Sequence, residues 1–285
     1  MQRFTQTGGT YAEARTWALE AIARFETAGV RVPEHGRLRE YATQFEQAVR
    51  ATETGEAGRR LNLEYLHRAI LDVMEFSVIA GQLATETPVT GFLYPANRAM
   101  KGGKLLADEK NKKSARDFQF ELFIGAIFKR GGYDVYFAEP DVVIHGSFGE
   151  IVIAAKRSRS MGNLPRLFED ADHQIDRSGK LGLIAVDISF LIMPNDLHLP
   201  ASANAVALLN AAVEAFAADI RKNAHRLVKS PRTIGYISYG SMLVVDYERP
   251  QLLVPRGCTF GKFIAADDAR MSILQELRDR VTCSA

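Results

Sequence analysis

Two charged side chains stand at opposite ends of neighbouring predicted strands. Asp141 follows Pro140 at the start of the apolar run "DVVIHG", and Lys156 lies near the end of the run "EIVIAAKR". The segment "GSFG" between these runs has the length and glycine content of a hairpin turn. Because a short hairpin returns the end of its second strand to the start of its first, we expect Asp141 and Lys156 to meet at one edge of a sheet.

A third candidate, Glu121, lies in the middle of a predicted helix that begins after Ser114 and precedes these strands. A helix packed on a sheet can direct one polar residue at the same edge. Two carboxylates beside a lysine are suited to metal-assisted phosphodiester hydrolysis. Carboxylate oxygens hold Mg²⁺, the metal acidifies a water molecule, and the ammonium stabilises the developing negative charge. A simpler alternative makes Asp141 a turn residue and Lys156 a solvent-facing strand end.

Hydrophobic periodicity predicts the elements that must position these residues. After the helix that carries Glu121, β-rich runs cover 133–138, 141–146 and 150–157, and a second helix covers about 164–177. The run "LGLIAVDISFLI" is then predicted to be a strand that is buried on both faces and parallel to the strand before the second helix. A helix at about 201–228, strands in "TIGYISYG" and "MLVVDYE", and a helix at about 266–281 follow. The pattern predicts an α/β (α+β) fold with a mixed central sheet.

The first hundred residues differ from the rest because their patterns predict helices alone. Three amphipathic segments cover about 11–29, 33–52 and 61–83. The run "KGGKLLADEKNKKSARD" then changes the composition to small and charged residues, as at a domain boundary. We therefore predict a helical N-terminal domain over residues 1–108 and a second domain over residues 109–285.

Residues 114–192 resemble the core of the PD-(D/E)XK nuclease superfamily, whose restriction-endonuclease-like fold has the order α-β-β-β-α-β. The resemblance covers about 80 of 285 residues. The matching positions are Glu121 in the opening helix, Pro140 and Asp141 for the "PD", Lys156 for the closing lysine, and Gln174 on the second helix.

One position departs from the family pattern, because Ala154 stands where an Asp or Glu is expected two residues before Lys156. In one subgroup of type II restriction enzymes the acid has moved to the following helix, thirteen residues beyond the lysine, and this spacing leads to Asp170 here. A helical projection places Asp170 and Gln174 on one flank. Alternatively, the protein binds without cutting, or the alanine is an engineered substitution. We expect an alanine here to leave the strand folded, because the family's acid belongs at a site edge.

The resemblance implies a Mg²⁺- or Mn²⁺-dependent endonuclease that acts on DNA, with Glu121 and Asp141 as metal ligands and Asp170 as the relocated ligand in the first of these explanations. Lys156 would stabilise charge with Gln174 in support. Such proteins often belong to restriction or anti-phage systems, in which the N-terminal helices would recognise substrate, regulate, or mediate a homodimer or a protein partner. The alternative implied function is a catalytically inactive nuclease-fold protein that binds nucleic acid or a protein partner. In a third, purely structural interaction protein, the nuclease core would be a relic.

Basic residues near the predicted site include Arg157, Arg159 and Arg166, which could contact a phosphate backbone. A solvated loop is the alternative for the segment "KRSRS". The chain as a whole has 36 basic and 34 acidic side chains, for a net charge of +2, so any attraction for nucleic acid must be local.

Composition excludes several other classes of protein. The two cysteines, Cys258 and Cys283, lie far apart without histidines at metal-ligand spacing, which argues against a zinc site and a disulfide scaffold. The chain has no apolar segment of signal-peptide type near its start and no window of about 18 uncharged apolar residues. We therefore expect a cytoplasmic protein that does not cross a membrane.

Overall fold

The structure is a computed structural model that describes residues 3–54, 63–102, 114–192, 199–200, 204–246, 251–262 and 268–281. In these ranges, nine α-helices accompany one mixed sheet of nine strands. The predicted mixed α/β class is therefore confirmed, with a mainly helical region at the N-terminus.

The sheet combines antiparallel and parallel pairing. Its strands are β1 (Arg3–Gly9), β2 (Asp134–Phe137), β3 (Val142–Gly146), β4 (Gly149–Arg157), β5 (Leu181–Asp187), β6 (Leu199–Pro200), β7 (Thr233–Ser241), β8 (Val244–Asp246) and β9 (Gln251–Lys262). They are ordered β2-β3-β4-β5-β7-β9-β8-β6, and β1 pairs with β9. The pairs β2–β3 and β3–β4 are antiparallel, whereas β4–β5 and β5–β7 are parallel.

Helices cover both faces of β4. The helices are α1 (Tyr11–Thr27), α2 (Arg37–Glu53), α3 (Leu63–Leu83), α4 (Leu93–Ala99), α5 (Ala115–Arg130), α6 (Leu164–Ser178), α7 (Ser189–Ile192), α8 (Ala205–Leu227) and α9 (Asp268–Arg280). Side chains of α5 share an apolar cluster with Ile151, Ile153 and Ala155, whereas those of α6 share another with Val152 and Ala154. This alternation follows from the two-residue side-chain period of a strand.

The predicted hairpin between β3 and β4 is present. Gly146 pairs with Gly149, so only two residues form the turn. Gly149 has φ +85°, a left-handed conformation that favours glycine. Val142 pairs with Ile153, which brings Asp141, one residue before β3, to the level of Ala154. The turn therefore determines which residues of β4 lie beside Asp141.

Two predictions about the elements are wrong. The N-terminal region is not all-helical, because Arg3–Gly9 form β1, antiparallel to β9. The run "LGLIAVDISFLI" is not one strand, because β5 ends at Asp187 and α7 begins at Ser189. Strand β9 was not predicted at all. Its sequence contains Pro255, which interrupts a strand pattern, and its pairing with β1 joins residues about 250 positions apart.

The helical region and the sheet share one apolar core. This cluster includes Phe25 and Phe76 from α1 and α3, Phe123 from α5 and Tyr239 from β7. The Phe123 and Tyr239 rings lie 4.8 Å apart between their centroids. The predicted domain boundary after residue 108 lies outside the described residues, and the division at 1–108 and 109–285 stays a prediction.

A buried carboxylate joins the N-terminal helices to α5. Asp72 of α3 accepts hydrogen bonds from Arg37 at 3.3 Å, Arg68 at 3.2 Å, Arg116 at 3.0 Å and the Tyr41 hydroxyl at 2.8 Å. Burial acts to raise the pKa of Asp72, but the charges of Arg116, Arg68 and Arg37 hold it well below its usual range. Asp72 is therefore ionised and stabilises the contact between these helices.

We predict that Asp72→Asn lowers the free energy of unfolding by about 3–5 kcal/mol, because three buried arginines lose their shared negative charge. Urea unfolding at pH 7 measures this difference. The contribution of the Asp72 charge is complete above the unfolded pKa of about 4 and is lost as the pH falls towards the depressed folded value.

The control is Glu46→Gln, which removes exposed ion pairs with Arg50 and Arg15 and should cost less than about 1 kcal/mol. Equal effects of the two substitutions would contradict the assignment of Asp72.

Candidate functional site

A polar cleft lies between α5 and α6 at the end of β4. Its volume is about 790 Å³. Most of its lining side chains are polar or charged, and they include Glu121, Lys156, Arg159, Asp170, His173 and Gln174. The cleft therefore contains several residues that the sequence analysis selected.

Lys156 joins two of the predicted site residues. Its Nζ donates to Gln174 Oε1 at 2.6 Å and lies 3.4 Å from Asp141 Oδ2. The same Asp141 oxygen accepts a hydrogen bond from the Ala155 backbone N–H at 2.9 Å. The Lys156 side chain is 15% exposed, whereas that of Asp141 is 1% exposed. Asp141 therefore contacts Lys156 from the protein interior, and the expected meeting of these two residues is found.

Glu121 reaches the cleft from the opposite helix. It lies on α5, is buried, and lines the cleft together with Asp117, about one turn earlier. The N-terminus of α5 is fixed by a capping box, in which the Ser114 side chain accepts from Asp117 N and the Asp117 carboxylate accepts from Ser114 N. The local sequence thus explains where α5 begins and how Glu121 is oriented within its turns.

Asp170 lines the cleft on the same side as Gln174, as the helical projection predicted. Its side chain is 57% exposed and forms an ion pair with Arg166 at 3.9 Å. Among the residues that the structure describes, no three carboxylate, imidazole or thiolate groups are close enough together to hold a metal ion. The predicted three-ligand set of Glu121, Asp141 and Asp170 is therefore not assembled.

Asp141 and Glu121 remain as candidate ligands for a metal ion whose other coordination positions water or substrate would fill. Magnesium is commonly bound by one or two carboxylates, with water and substrate phosphate oxygens completing its coordination. Asp141 and Glu121 are both buried carboxylates with the required oxygen donors; Glu121 lines the polar cleft, whereas Asp141 does not line it and contacts Lys156 from the interior. The chemistry of these two donors suits Mg²⁺ or Mn²⁺ completed by water and phosphate oxygens, and it does not suit a cage made of protein ligands alone.

Ala154 does not lie at the edge of the site, which corrects the expectation from the sequence. It is fully buried in the apolar cluster between the sheet and α6, together with Val152, Phe168 and Ile184. The hairpin register brings Asp141 to its level. An acidic side chain at this position would therefore enter a packed apolar layer beside another carboxylate.

Of the three arginines predicted to contact phosphate, Arg157 is buried and paired. Its Nε lies 2.6 Å from Asp187 Oδ2, and its terminal nitrogen lies 3.1 Å from Glu75 Oε2. Burial acts to lower the pKa of Arg157, but Glu75 and Asp187 raise it above its usual value. The Arg157 guanidinium is thus engaged by Glu75 and Asp187 inside the protein, although the residue also lines the cleft, and its contact with phosphate stays a prediction.

The other two arginines remain near the protein surface. Arg159 is exposed and lines the cleft, whereas Arg166 is exposed, pairs with Asp170 and does not line it. One further residue that lines the cleft, Asp117, was missed. It lies four positions before Glu121 on α5, so the helical spacing could have identified it.

No protein-family model matches the chain, and neither curated proteins nor solved structures provide a match. Within the described residues, no helix combines the length and the apolar character that crossing a bilayer requires.

We predict that Ala154→Glu lowers the free energy of unfolding by at least about 2 kcal/mol, because it overpacks the layer under α6 and buries a carboxylate beside Asp141. Denaturant unfolding measures the change. Ala218→Glu on α8 is the matched control, because Ala218 is exposed. A stability of Ala154→Glu equal to that of the control would contradict the packed position of this residue.

Proposed function

We propose that the protein is a metal-dependent nuclease with a PD-(D/E)XK-type core that hydrolyses DNA phosphodiester bonds. The observation that carries this proposal is the contact of Lys156 with both Asp141 and Gln174 beside a cleft that Glu121 also lines. The order of elements from α5 to β5, which is helix, three strands, helix and strand, supports it. The restriction-endonuclease-like core and the link to restriction or anti-phage defence belong to this proposal.

Each residue has a role that its position supports. Asp141 and Glu121 would hold one Mg²⁺ or Mn²⁺, which when bound acidifies a water molecule and polarises the phosphoryl group. The Lys156 ammonium neutralises negative charge on the scissile phosphate, and Gln174 keeps the ammonium oriented. Asp170 lies at the exposed side of the cleft, where it can orient water, and Arg159 can contact a neighbouring phosphate.

Cleavage of linear, circular and single-stranded DNA, and of RNA, with Mg²⁺ or Mn²⁺ tests the proposal. We predict that Lys156→Ala lowers the rate of DNA cleavage by about 10²–10³-fold, because the charge in the transition state loses its cationic partner. Lys180→Ala should leave the rate unchanged, since Lys180 pairs with Glu150 and does not line the cleft. A wild-type chain that cuts none of these substrates with either metal would reject hydrolysis.

A second candidate function is binding of nucleic acid without cleavage. The specific observation in its favour is Ala154, which removes an acidic donor and is packed among apolar side chains. The same cleft would then bind a phosphate backbone through Lys156 and Arg159, with no hydrolysis.

Fluorescence anisotropy with labelled DNA in EDTA separates binding from cleavage. We predict that Arg159→Ala weakens DNA binding and reduces the slope of log affinity against log salt by about 1, because one phosphate contact is lost. Arg50→Ala on α2 is the control, since it removes an exposed arginine distant in sequence from the cleft. Binding with no cleavage would favour the second candidate, and the absence of both would contradict the two proposals together.

A further inference from the structure

A carboxylate from the N-terminal helices reaches the strand that carries Lys156. Glu75 of α3 contacts the Arg157 terminal nitrogen through both of its oxygens, at 3.3 Å and 3.1 Å. Glu75 Oε2 also accepts a hydrogen bond from Gln119 Nε2 of α5 at 2.6 Å. The helical region therefore holds the residue that directly follows Lys156.

Arg157 has further partners that fix its position. Its Nε lies 2.6 Å from Asp187 at the end of β5, and its guanidinium lies over the Phe120 ring of α5, 5.4 Å from the centroid. Arg157 is thus held from α3, α5 and β5 at once. All of these contacts lie in the interior, where ion pairs are screened much less by salt than exposed pairs are.

Strand geometry connects this cluster to the cleft. Successive side chains of a strand point to opposite faces, so Arg157 faces α3 and α5, while Lys156 faces α6 and Gln174. Strand β4 ends at Arg157, where its last residues pair with Val186 and Asp187 of β5 and the next residue, Ser158, donates its N–H to the Asp187 carbonyl at 3.1 Å. The side-chain contacts of Arg157 on one face therefore add to this backbone pairing in fixing the strand end that carries Lys156 on the other face.

We propose that Glu75 is a positioning residue of the site. By holding Arg157 it fixes the end of β4 and keeps the Lys156 ammonium in contact with Asp141 and Gln174. The helical N-terminal region is then part of the scaffold of the site. The catalytic consequence rests on the proposed nuclease function, whereas the effect on Lys156 itself does not.

The experiment compares the accessibility of Lys156 in the wild-type chain and in Glu75→Gln, which keeps the size of the side chain and removes its charge. A pulse of acetic anhydride followed by peptide mass spectrometry measures the modification rate of each lysine. We predict that Lys156 is modified about tenfold faster in Glu75→Gln, the size of effect that supporting residues commonly have. Lys180 serves as the internal reference, because it does not contact this cluster.

Tyr41→Phe is the matched control variant. It removes the hydroxyl contact with Asp72 in the same buried polar region, but it leaves the partners of Arg157 in place. Thermal unfolding measures the destabilisation caused by each substitution. We expect Tyr41→Phe to leave the modification rate of Lys156 unchanged, and Glu75→Asp to restore part of the protection because it restores the charge.

The outcomes separate the two proposals. Faster modification of Lys156 in Glu75→Gln but not in Tyr41→Phe supports the inference, and a rate equal to that of the wild type, or equally raised in both variants, overturns it. If Glu75→Gln does not fold, Arg157→Lys provides the same test from the other side of the pair. If the wild-type chain cuts DNA, Glu75→Gln should lower kcat about tenfold and leave KM constant. A chain that cuts no DNA rejects the proposed nuclease but leaves the modification test valid.

Discussion

The contact of the Lys156 ammonium with Asp141 and Gln174 is the interaction on which the candidate site depends. A largely buried ammonium needs a compensating charge and hydrogen-bond acceptors, because burial alone disfavours the charged form. Three elements meet these needs: the residue before β3 provides the carboxylate, β4 provides the lysine, and α6 provides the amide. Only a tight hairpin register and a helix packed on the same face bring these groups together.

The opposite face of β4 is held by a second set of buried charges. Arg157 pairs with Glu75 and Asp187, and Glu75 shares Gln119 with Asp72, which in turn binds arginines from α2, α3 and α5. Breaking a buried pair is costly because the remaining charge keeps no partner. These contacts make the helical region and the sheet depend on each other, in agreement with their shared apolar core.

The two proposed functions use the same cleft and differ in what Asp141 and Glu121 do. In the proposed nuclease they would hold a divalent cation together with water and phosphate oxygens. In the binding protein Asp141 remains the partner of Lys156, and the cleft contributes only its cations and hydrogen-bond donors. Ala154 is compatible with both functions. It leaves the site with one acidic donor fewer than the family pattern has, and it packs under α6 without disturbing the apolar layer.

Local patterns in the sequence determined most of the elements around the site and the meeting of Asp141 with Lys156, because a two-residue turn dictates which residues of a hairpin face each other. Helical spacing likewise determined that Asp170 and Gln174 share a flank. Only the tertiary structure decided that Arg157 is buried, that Ala154 is packed, and that Glu121, Asp141 and Asp170 do not form one metal cluster. The strand pairing of β1 with β9 and the contact of Glu75 with Arg157, 82 residues apart, were decided in the same way. Such contacts join segments that are distant in the sequence. The local hydrophobic pattern of each segment is the same with or without the contact, so neither pattern predicts the pairing.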